Sequence, residues 1–301
     1  MPDAIGIGAA VWDTLIELAR YPDEDGKLQA DAIAHSGGGP TATALVAMAR
    51  LGLRAAFMGN VGDDEAGDRV IRDFVRYGVS TEFLGRRAGC ATSVAYILVN
   101  RGRDTRTIIH RRGNAPPPLC EGQMAALRKC RLLHVEGLHG EAALRAATTV
   151  RSAGGLVSLD AGSPHPGIER LMEICHLLVA SGEFAKKHTG RADPADALSA
   201  LRERYRPDVL VVTLGAAGGL WAQAGRSGGY PAFRVPVVDT TGAGDVFHGA
   251  FARFMLDGLA ADKAARLASA VAALKCTRPG GRAGIPTLAE ARAFAETAAE
   301  Q

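Results

Sequence analysis

The sequence has few aromatic residues and no concentration of basic charge. Phe, Trp and Tyr make up 5% of the 301 residues, and the formal net charge of +3 is spread along the chain without a basic run. Nucleic-acid-binding surfaces need clustered Lys and Arg, and many also use aromatic rings that stack on bases. We therefore expect no nucleic acid partner.

Long apolar runs are also missing. The first residues, MPDAIGIGAAVWDTLIEL, have no basic segment, and Asp13 interrupts their apolar run. A signal peptide starts with basic residues, and a membrane span needs about 20 apolar residues. The five cysteines are widely spaced without a C-x-x-C pair, which argues against a disulfide framework or a zinc ribbon. These features predict a cytoplasmic protein that does not associate with membranes.

Two common nucleotide-binding motifs and one metal motif are incomplete. G-x-x-x-x-G-K-[ST] does not occur, and GIGAAV has Val11 where the dinucleotide fingerprint needs its third glycine. His134, Glu136 and His139 lack i, i+4 spacing and have no further ligand nearby in the sequence. The sequence therefore argues against a P-loop NTPase, a dinucleotide dehydrogenase and a zinc enzyme.

Short apolar runs alternate with helical patterns along the chain, which is 47% hydrophobic. This alternation predicts a mainly parallel sheet that is covered on both faces. We therefore expect one α/β domain over residues 1–301, with a three-layer α/β/α, doubly wound architecture. The predicted strands are 4–11, 54–61, 131–137, 156–162, 176–181 and 208–215.

Two segments interrupt this alternation. Residues 14–36 and 82–112 have extended, alternating patterns, and RGRD in the second segment is predicted to be a hairpin turn. Ligands bind at the carboxyl ends of the strands in doubly wound sheets. We predict that the two segments form a small β-strand lid over those ends, and their exposed edges suggest a homodimer formed through the lid.

The stretch VVDTTGAGDVFHGAF, residues 237–251, places glycines and an acid before an apolar helix. The preceding FRVPVV is predicted to be a strand, residues 239–245 a turn and residues 246–255 a helix. The same helical spacing predicts that His248 lies on the surface, about 100° from Phe247 around the helix. The glycines would then lie where the first N–H groups of the helix lack partners and its dipole is positive.

This arrangement suits phosphoryl transfer. Gly242, Ala243 and Gly244 would form an anion hole for the charge on a transferred phosphoryl group, and Asp245 would accept the proton of an attacking hydroxyl. The alternative is that Asp245 only caps the helix and the glycines only form the turn.

DTTGAGDVFHGAF resembles the C-terminal signature of the ribokinase-like (phosphofructokinase-B-type) sugar kinases. SGGGPTATALVAMARLG with FMGNVGDDEAGDRVIRDFVRYGV is similar to the first signature of that family, and VVTLGAAGGL to its nucleotide-binding strand and turn. The tail through ASAVAALKCTRPGGRAGIP is similar to that of bacterial sulfofructose kinases, whereas VWDTLIELARYPDEDGKL and LLHVEG resemble ketohexokinases. The resemblance implies an ATP-dependent sugar kinase that uses Mg²⁺ and, in many members, an activating monovalent cation such as K⁺.

The resemblance also implies the class of sugar. We favour a ketose or a ketose-derived sugar, including 6-deoxy-6-sulfofructose, that is phosphorylated on a primary hydroxyl. Thr43 replaces the asparagine of ribokinases and ketohexokinases and Pro40 replaces a polar residue, which argues against ribose and plain fructose. The sulfofructose kinases have an arginine near the strand end where this chain has Gly137, Leu138 and His139, which weakens the sulfosugar hypothesis.

The resemblance assigns sugar-binding roles to individual residues. Asp245 is similar to the catalytic base. For the glycines and the other acids that the resemblance assigns to the sugar site, the alternative is that they only form a turn, cap a helix or make an ordinary polar contact. Lys27, His110, Arg111 and Arg112 would meet an anionic substituent, or would only be solvated lid residues. The remaining implied sugar contacts are Asp13, Gly38, Gly39, Thr43 and Glu136.

ATP and cation contacts follow in the same way. Glu183, in ASGE without the expected asparagine, would organise Mg²⁺ through water, or be a solvated acid at a helix start. Asp239 and Thr241 match residues that bind a monovalent cation in relatives, or only shape the turn. The implied ATP contacts are Thr213, Gly215, Gly218, Gly242, Gly244 and Gly281.

Other functions remain open at this point. The chain could phosphorylate fructose, tagatose, 2-keto-3-deoxygluconate, ribose or a nucleoside. The altered N-x-x-E motif also allows a sugar- or ATP-sensing module without turnover, although the intact Asp245 argues against it.

Overall fold

The computed structural model describes residues 1–103, 105–115, 117 and 119–297. No helix in this described part combines the length and apolar character that a membrane span requires. Its strands are β1 Ala4–Ile7, β2 Val11–Leu18, β3 Ala32–Gly38, β4 Ala55–Phe57, β5 Gly59–Gly62, β6 Leu84–Arg87, β7 Ser93–Asn100, β8 Thr105–Arg111, β9 Leu132–Val135, β10 Leu156–Ala161, β11 Leu177–Ser181, β12 Val209–Thr213, β13 Gly219–Gln223 and β14 Arg226–Tyr230. Its helices are α1 Pro40–Arg50, α2 Glu65–Arg76, α3 Glu121–Leu127, α4 Gly140–Ser152, α5 Ile168–Met172, α6 Gly182–Thr189, α7 Pro194–Tyr205, α8 Ala243–Leu256, α9 Ala261–Lys275, α10 Leu288–Thr297 and a 3₁₀ helix, Gly215–Ala217.

The main sheet has the strand order β14-β13-β12-β11-β10-β9-β1-β4. The strands from β12 to β4 pair in parallel, and β13 and β14 add an antiparallel edge. This is the predicted mainly parallel sheet. Its parallel strands all end at the same edge, where ligands of doubly wound folds bind.

Both faces of the main sheet are buried, because neighbouring residues on a strand point to opposite sides. Leu132 belongs to a core that contains residues of α1, α8 and α9. Leu133, the next residue on β9, belongs to a second core with residues of α4 and α7. Helices thus cover both faces, which explains the near-continuous apolar strands and confirms the three-layer architecture.

A second sheet of four strands has the order β3-β2-β7-β8. Strands β7 and β8 pair antiparallel, as predicted for the hairpin, although Asp104 of its RGRD turn lies outside the described residues. The sheet begins at Val11 rather than at residue 14. Strand β6, within the predicted segment 82–112, pairs with β5 in a separate two-stranded sheet.

Three local predictions were wrong. The predicted strand 54–61 is divided into β4 and β5, and FRVPVV, residues 233–238, forms no strand. The apolar helix begins at Ala243 rather than at residue 246, because Gly242 takes the left-handed conformation that starts it. Asp245 therefore lies in the first turn of α8 and not in the preceding loop.

Candidate active site

Asp245 stands at the start of α8, next to a second glycine-containing loop. Gly242, the N-cap residue, has φ of 73° and ψ of 4°, which favours glycine. A Cβ atom at this position would lie 3.1 Å from the carbonyl oxygen of Gly281. Glycine is therefore needed both for the turn and for the close approach of the two loops.

The predicted anion hole is partly open. Ala243 donates its N–H to the carbonyl oxygen of Thr240 at 3.1 Å. At Gly244, a Cβ atom would meet no other atom within 4 Å, so the space beside this backbone is free. Because the first N–H groups of a helix have no partner within it, this space can receive an anion.

The surroundings of Asp245 favour a carboxylate that accepts a proton readily. Burial raises the pKa of Asp245 to about 6, and the charges of Asp160 and Asp13 raise it further, against the opposing charges of His248 and Arg282. A general base works best when its pKa is near the working pH. The pKa of Asp245 would therefore suit a base near neutral pH, and its role as the catalytic base stays a prediction.

His248 is buried beneath the site, so its predicted surface position was wrong. Its Nδ1 lies 2.7 Å from Oδ2 of Asp160, and the side chains of both residues are about 95% buried. Burial alone would lower the pKa of His248, but the Asp160 carboxylate raises it. Burial alone would likewise raise the pKa of Asp160, but His248 lowers it. The two residues therefore form a buried ion pair, one helical turn below Asp245.

Asp13 lies close to the paired glycines of β3. It belongs to β2 in the second sheet. A Cβ atom at Gly38 would lie 2.0 Å from Oδ2 of Asp13, and one at Gly39 would lie 2.4 Å from a backbone carbonyl oxygen. Burial raises the pKa of Asp13 to about 6, although the Arg282 charge opposes this. The two glycines thus make room for a buried carboxylate beside exposed backbone.

Arg282 forms several polar contacts with the residues around Gly38. Its guanidinium forms an ion pair with Asp73, donates to the carbonyl oxygen of Gly38 at 2.9 Å and donates to Oγ1 of Thr43 at 3.3 Å. Both Arg282 and Asp73 are buried. This charged residue therefore fixes the strand that carries Gly38 against the start of α1.

Thr43 and Glu136 are both buried and already hydrogen-bonded. One oxygen of Glu136 accepts from the Ala9 N–H at 2.5 Å, and the other accepts from the Thr41 N–H at 2.9 Å. Burial raises the pKa of Glu136 to about 8, with the charge of Asp160 acting in the same direction. Its visible function is to hold the start of α1, and its role as a sugar contact stays a prediction.

The strand pairing in the second sheet shows which predicted lid residues lie on the same face as Asp13. Asp13 pairs with Ala95, which pairs with His110, so these three residues share the inner face. Arg111 has the opposite orientation. Burial would raise the pKa of Asp64, but hydrogen bonds from Thr92 and the charge of Arg111 lower it.

Arg112 directly follows β8, and its charge influences a histidine next to the main sheet. Burial lowers the pKa of His165, the Arg112 charge lowers it further, and Asp160 opposes both. Arg112 is therefore electrostatically close to His165, in the loop that follows β10. Lys27 is exposed in the segment between β2 and β3.

A cavity of about 490 Å³ separates the second sheet from the main domain. Leu15 and Ser36 of the second sheet line one side, and Thr241, Gly280 and Arg282 line the other. The loop 237–241, which carries the predicted cation residues, and the loop that contains Gly280 therefore face the inner side of the second sheet.

The predicted ATP residues lie at the carboxyl ends of β12 and its neighbours. Thr213 ends β12, Gly215 starts the 3₁₀ helix with φ of 59°, and Gly218 has φ of 82°. A Cβ atom at Gly218 would lie 2.0 Å from the carbonyl oxygen of Tyr230. Gly281 meets Gly242 as described above, so the two loops of the predicted ATP site are in contact.

The predicted metal residues have other partners. Glu183 is exposed at the start of α6, and its Oε1 accepts from Nζ of Lys187 at 2.6 Å. Asp239 accepts the N–H groups of Thr241 and Gly280, each at 2.8 Å. Among the described residues, no group of three or more His, Cys, Asp or Glu side chains could hold a metal ion.

Several residues of the site were missed in the sequence. Asp160 had a signal, because it ends a predicted strand of a parallel sheet, where ligand-binding residues lie. His248 had another, because it is three residues after Asp245 on the same helix. His165, Lys275 and Arg282 come from distant parts of the chain, and no local pattern indicates that they meet here.

The chain matches the model of the pfkB family carbohydrate kinases over residues 9–288. It is 28% identical to a deoxyribokinase from Salmonella typhi, over 95% of this chain and 96% of the relative. It is 32% identical to a putative ribokinase from Agrobacterium tumefaciens, with a TM-score of 0.92 over 100% of this chain and 99% of that structure. A putative ribokinase II from E. coli in complex with ATP and Mg²⁺ has the same fold, at 22% identity and a TM-score of 0.83 over 99% of this chain and 100% of that structure. The matched residues include all those that surround Asp245.

Proposed function

Because the chain belongs to the pfkB family of carbohydrate kinases and is an ATP-dependent sugar kinase, we propose that it phosphorylates the primary hydroxyl of a ketose or ketose-derived sugar with Asp245 as catalytic base. The observation that carries this proposal is the position of Asp245 in the first turn of α8, beside the open backbone at Gly244. The pKa of Asp245, which is raised to about 6, suits a general base, whereas an aspartate that only caps a helix would need no open space beside it.

The first turn of α8 would both accept the proton and stabilise the transferred phosphoryl group. Asp245 accepts the proton of the sugar hydroxyl while the hydroxyl oxygen attacks the γ-phosphorus of ATP in line. The free space beside Gly244 and the positive end of α8 favour the charge that develops on the phosphoryl oxygens. The bond from the γ-phosphorus to the bridging oxygen breaks, and ADP leaves.

The described residues fit a metal ion that is bound mainly by the nucleotide. They contain no cluster of side chains for a protein-only site, and Mg²⁺ commonly keeps several waters and binds phosphates with one or two carboxylates. Bound in this way, Mg²⁺ would neutralise charge on the β- and γ-phosphates. Glu183 would take part through water after it releases Lys187, which an exposed ion pair allows at little cost.

The sugar would lie between Asp13 and the exposed backbone at Gly38. The carboxylate of Asp13 is nearly buried, and its pKa is about 6. A buried carboxylate has lost hydrogen bonds from water. A hydrogen bond that a sugar hydroxyl donates to it is therefore especially favourable. Thr43, Gly39 and Glu136 border this region and are proposed as further sugar contacts.

The lid residues suggest a position for an anionic group on the sugar. Arg112 and His165 are close enough to influence each other, and His139 is electrostatically close to His165. A guanidinium beside imidazoles suits a sulfonate, phosphate or carboxylate. These residues could replace the strand-end arginine that this chain lacks, and 6-deoxy-6-sulfofructose is the candidate we favour among anionic ketoses.

The first test is ADP release from Mg-ATP with a panel of fructose, fructose 1-phosphate, tagatose, 6-deoxy-6-sulfofructose, 2-keto-3-deoxygluconate, ribose and adenosine. We expect turnover with a ketose and a loss of about 10²–10⁴-fold in kcat for Asp245→Asn. Asp257→Asn, an exposed acid after the other end of α8, is the matched control and should keep its activity. Full activity in Asp245→Asn would contradict the mechanism.

A paired substitution tests the anionic substituent. Arg112→Met should raise KM for an anionic ketose at least about tenfold, whereas Arg111→Met, on the opposite face, should leave it nearly unchanged, because a charge-assisted hydrogen bond contributes about 1.5–3 kcal/mol. Equal effects of the two substitutions would exclude a specific contact at Arg112. Turnover with neutral ketoses only would exclude the anionic class.

A further inference from the structure

Lys275 is a fully buried lysine beside the loop that leads to the catalytic base. It is the last residue of α9, and its relative exposure is 0%. Its Nζ donates to the carbonyl oxygen of Asp239 at 2.8 Å. Lysine is almost never fully buried unless its charge is paired, so a specific interaction must compensate for this burial.

The ammonium group lies among oxygen atoms and negative charges. Burial lowers the pKa of Lys275, but the charges of Asp239 and Asp245 act to raise it. Lys275 is also at the C-terminal end of α9, where the helix dipole favours a cation. The backbone carbonyl of Asp239, the Asp239 carboxylate and the helix end thus form a cation-binding environment that the chain fills with its own side chain.

The oxygens of Asp239 leave no place for an additional K⁺ ion. Both carboxylate oxygens of Asp239 accept backbone N–H groups, one from Thr241 and one from Gly280, each at 2.8 Å. The carbonyl oxygen of Asp239 accepts a hydrogen bond from Nζ of Lys275. Every oxygen of Asp239, one of the two residues implied to bind a monovalent cation, is therefore already engaged, and one of them is engaged by an ammonium group of the same charge as K⁺.

The loop 239–241 is directly connected to the catalytic part of α8. Thr241 is followed by Gly242, the N-cap residue, and Ala243 donates to the carbonyl oxygen of Thr240. The backbone of Gly284 also packs on Lys275, since a Cβ atom there would lie 2.3 Å from the Lys275 carbonyl oxygen. A cation at this point holds the loop from which the anion-binding helix starts.

We propose that the ammonium group of Lys275 takes the place of the activating monovalent cation, so that this kinase does not depend on K⁺. Lys275 is a positioning residue in this account, because it fixes the 239–241 loop and contributes positive charge near the anion hole without touching the substrate. The proposal rests on the proposed kinase function for its activity readout, but its thermal readout is independent of it.

The test compares the protein in 100 mM KCl and in 100 mM choline chloride at equal ionic strength. The kcat and the melting temperature of the unmodified protein should be the same in both salts, with a change in kcat of less than about twofold. Lys275→Ala should lose at least about tenfold in kcat in choline, because the positive charge near the anion hole is lost. It should regain activity and melting temperature in KCl, because K⁺ can enter the vacated space. Lys275→Met, which fills the space, should be impaired in both salts.

Lys263→Ala is the matched control, because Lys263 is an exposed lysine on the same helix. A several-fold activation of the unmodified protein by K⁺, or a rise in its melting temperature in KCl alone, would overturn the proposal without any variant. A folded Lys275→Ala protein that ignores K⁺ would also overturn it. If no sugar is phosphorylated, the kinase function fails, and the salt dependence of the melting temperature still decides the proposal.

Discussion

The pH dependence of turnover should reveal the raised pKa of the catalytic base. Asp245 has a pKa of about 6, and a base acts only in its deprotonated form, so kcat/KM should fall as the pH decreases through this value. At pH 5 roughly one-tenth of Asp245 would be ionised, and kcat/KM should be about one-tenth of its plateau or less, because Asp13 in the proposed sugar site also has a pKa of about 6. An aspartate with an ordinary pKa of about 3.9 would remain more than about nine-tenths ionised at pH 5.

The substitution His248→Gln separates the pKa of Asp245 from protonation of ATP. His248 carries a positive charge that lowers the pKa of Asp245, and its loss leaves Asp160 without its ion-pair partner. The loss of the His248 charge raises the pKa of Asp245, so the acidic limb should move to higher pH by up to about one unit. Protonation of ATP would be the same in both proteins.

The assay is discontinuous measurement of ADP between pH 4.5 and 8, at saturating Mg-ATP and sub-saturating sugar. Melting temperatures at each pH ensure that only folded protein is compared. A flat profile between pH 5 and 8, or a limb at the same pH in both proteins, would refute the assignment of Asp245 as a base with a raised pKa.

Three further predictions concern the architecture around the site. Gly38→Ala should raise KM for the sugar at least about tenfold without changing the affinity for ATP, because its Cβ would lie 2.0 Å from Asp13. The control is Gly122→Ala on α3, where no atom is closer than 3.9 Å to the added Cβ. An unchanged KM in Gly38→Ala would contradict this prediction. Arg282→Met should lower the free energy of unfolding, measured by urea denaturation, by about 3–5 kcal/mol, because it leaves Asp73 buried without its partner. The double variant with Asp73→Leu should recover part of this loss. A loss below about 1 kcal/mol in Arg282→Met would show that the ion pair is not important for stability. The outer face of the second sheet exposes Ile33, Tyr96 and Ile109, so if the proposed dimer forms there, Ile109→Glu should shift sedimentation to the monomer, whereas Val75→Glu on α2 should not.

Much of the fold follows from patterns in the sequence, because each parallel strand of the main sheet is a short apolar run and both faces are covered. The antiparallel edge strands β13 and β14 were not predicted, and β14, RSGGY, has no apolar run. The family resemblance, based on residues 237–251 and two other motifs, is confirmed by the family match. A helix close after these glycines could likewise be predicted, since glycines and an acid before an apolar run give a local signal, although the helix begins at Ala243 and includes Asp245.

The failures have physical causes that involve distant residues. His248 was placed on the surface because helical periodicity alone does not show that Asp160, 88 residues earlier, provides a buried partner. Residues 233–238 have strand-like composition but do not pair with a neighbouring strand. Lys275 looks like an ordinary helix-end lysine in sequence, and only the position of Asp239 shows why it is buried. Specificity for sulfofructose or another sugar remains a prediction, since it depends on such distant contacts.

The most direct test of the account is a single-turnover measurement of phosphoryl transfer from γ-labelled ATP to the sugar, with unmodified protein and with Asp245→Asn in excess over ATP. ATP binding is measured in parallel through the rise in melting temperature. The account predicts labelled sugar phosphate with the unmodified protein, and transfer that is slower by about 10²–10⁴-fold in a variant that still binds ATP. Transfer at the unmodified rate by Asp245→Asn would contradict the central claim that Asp245 is the catalytic base.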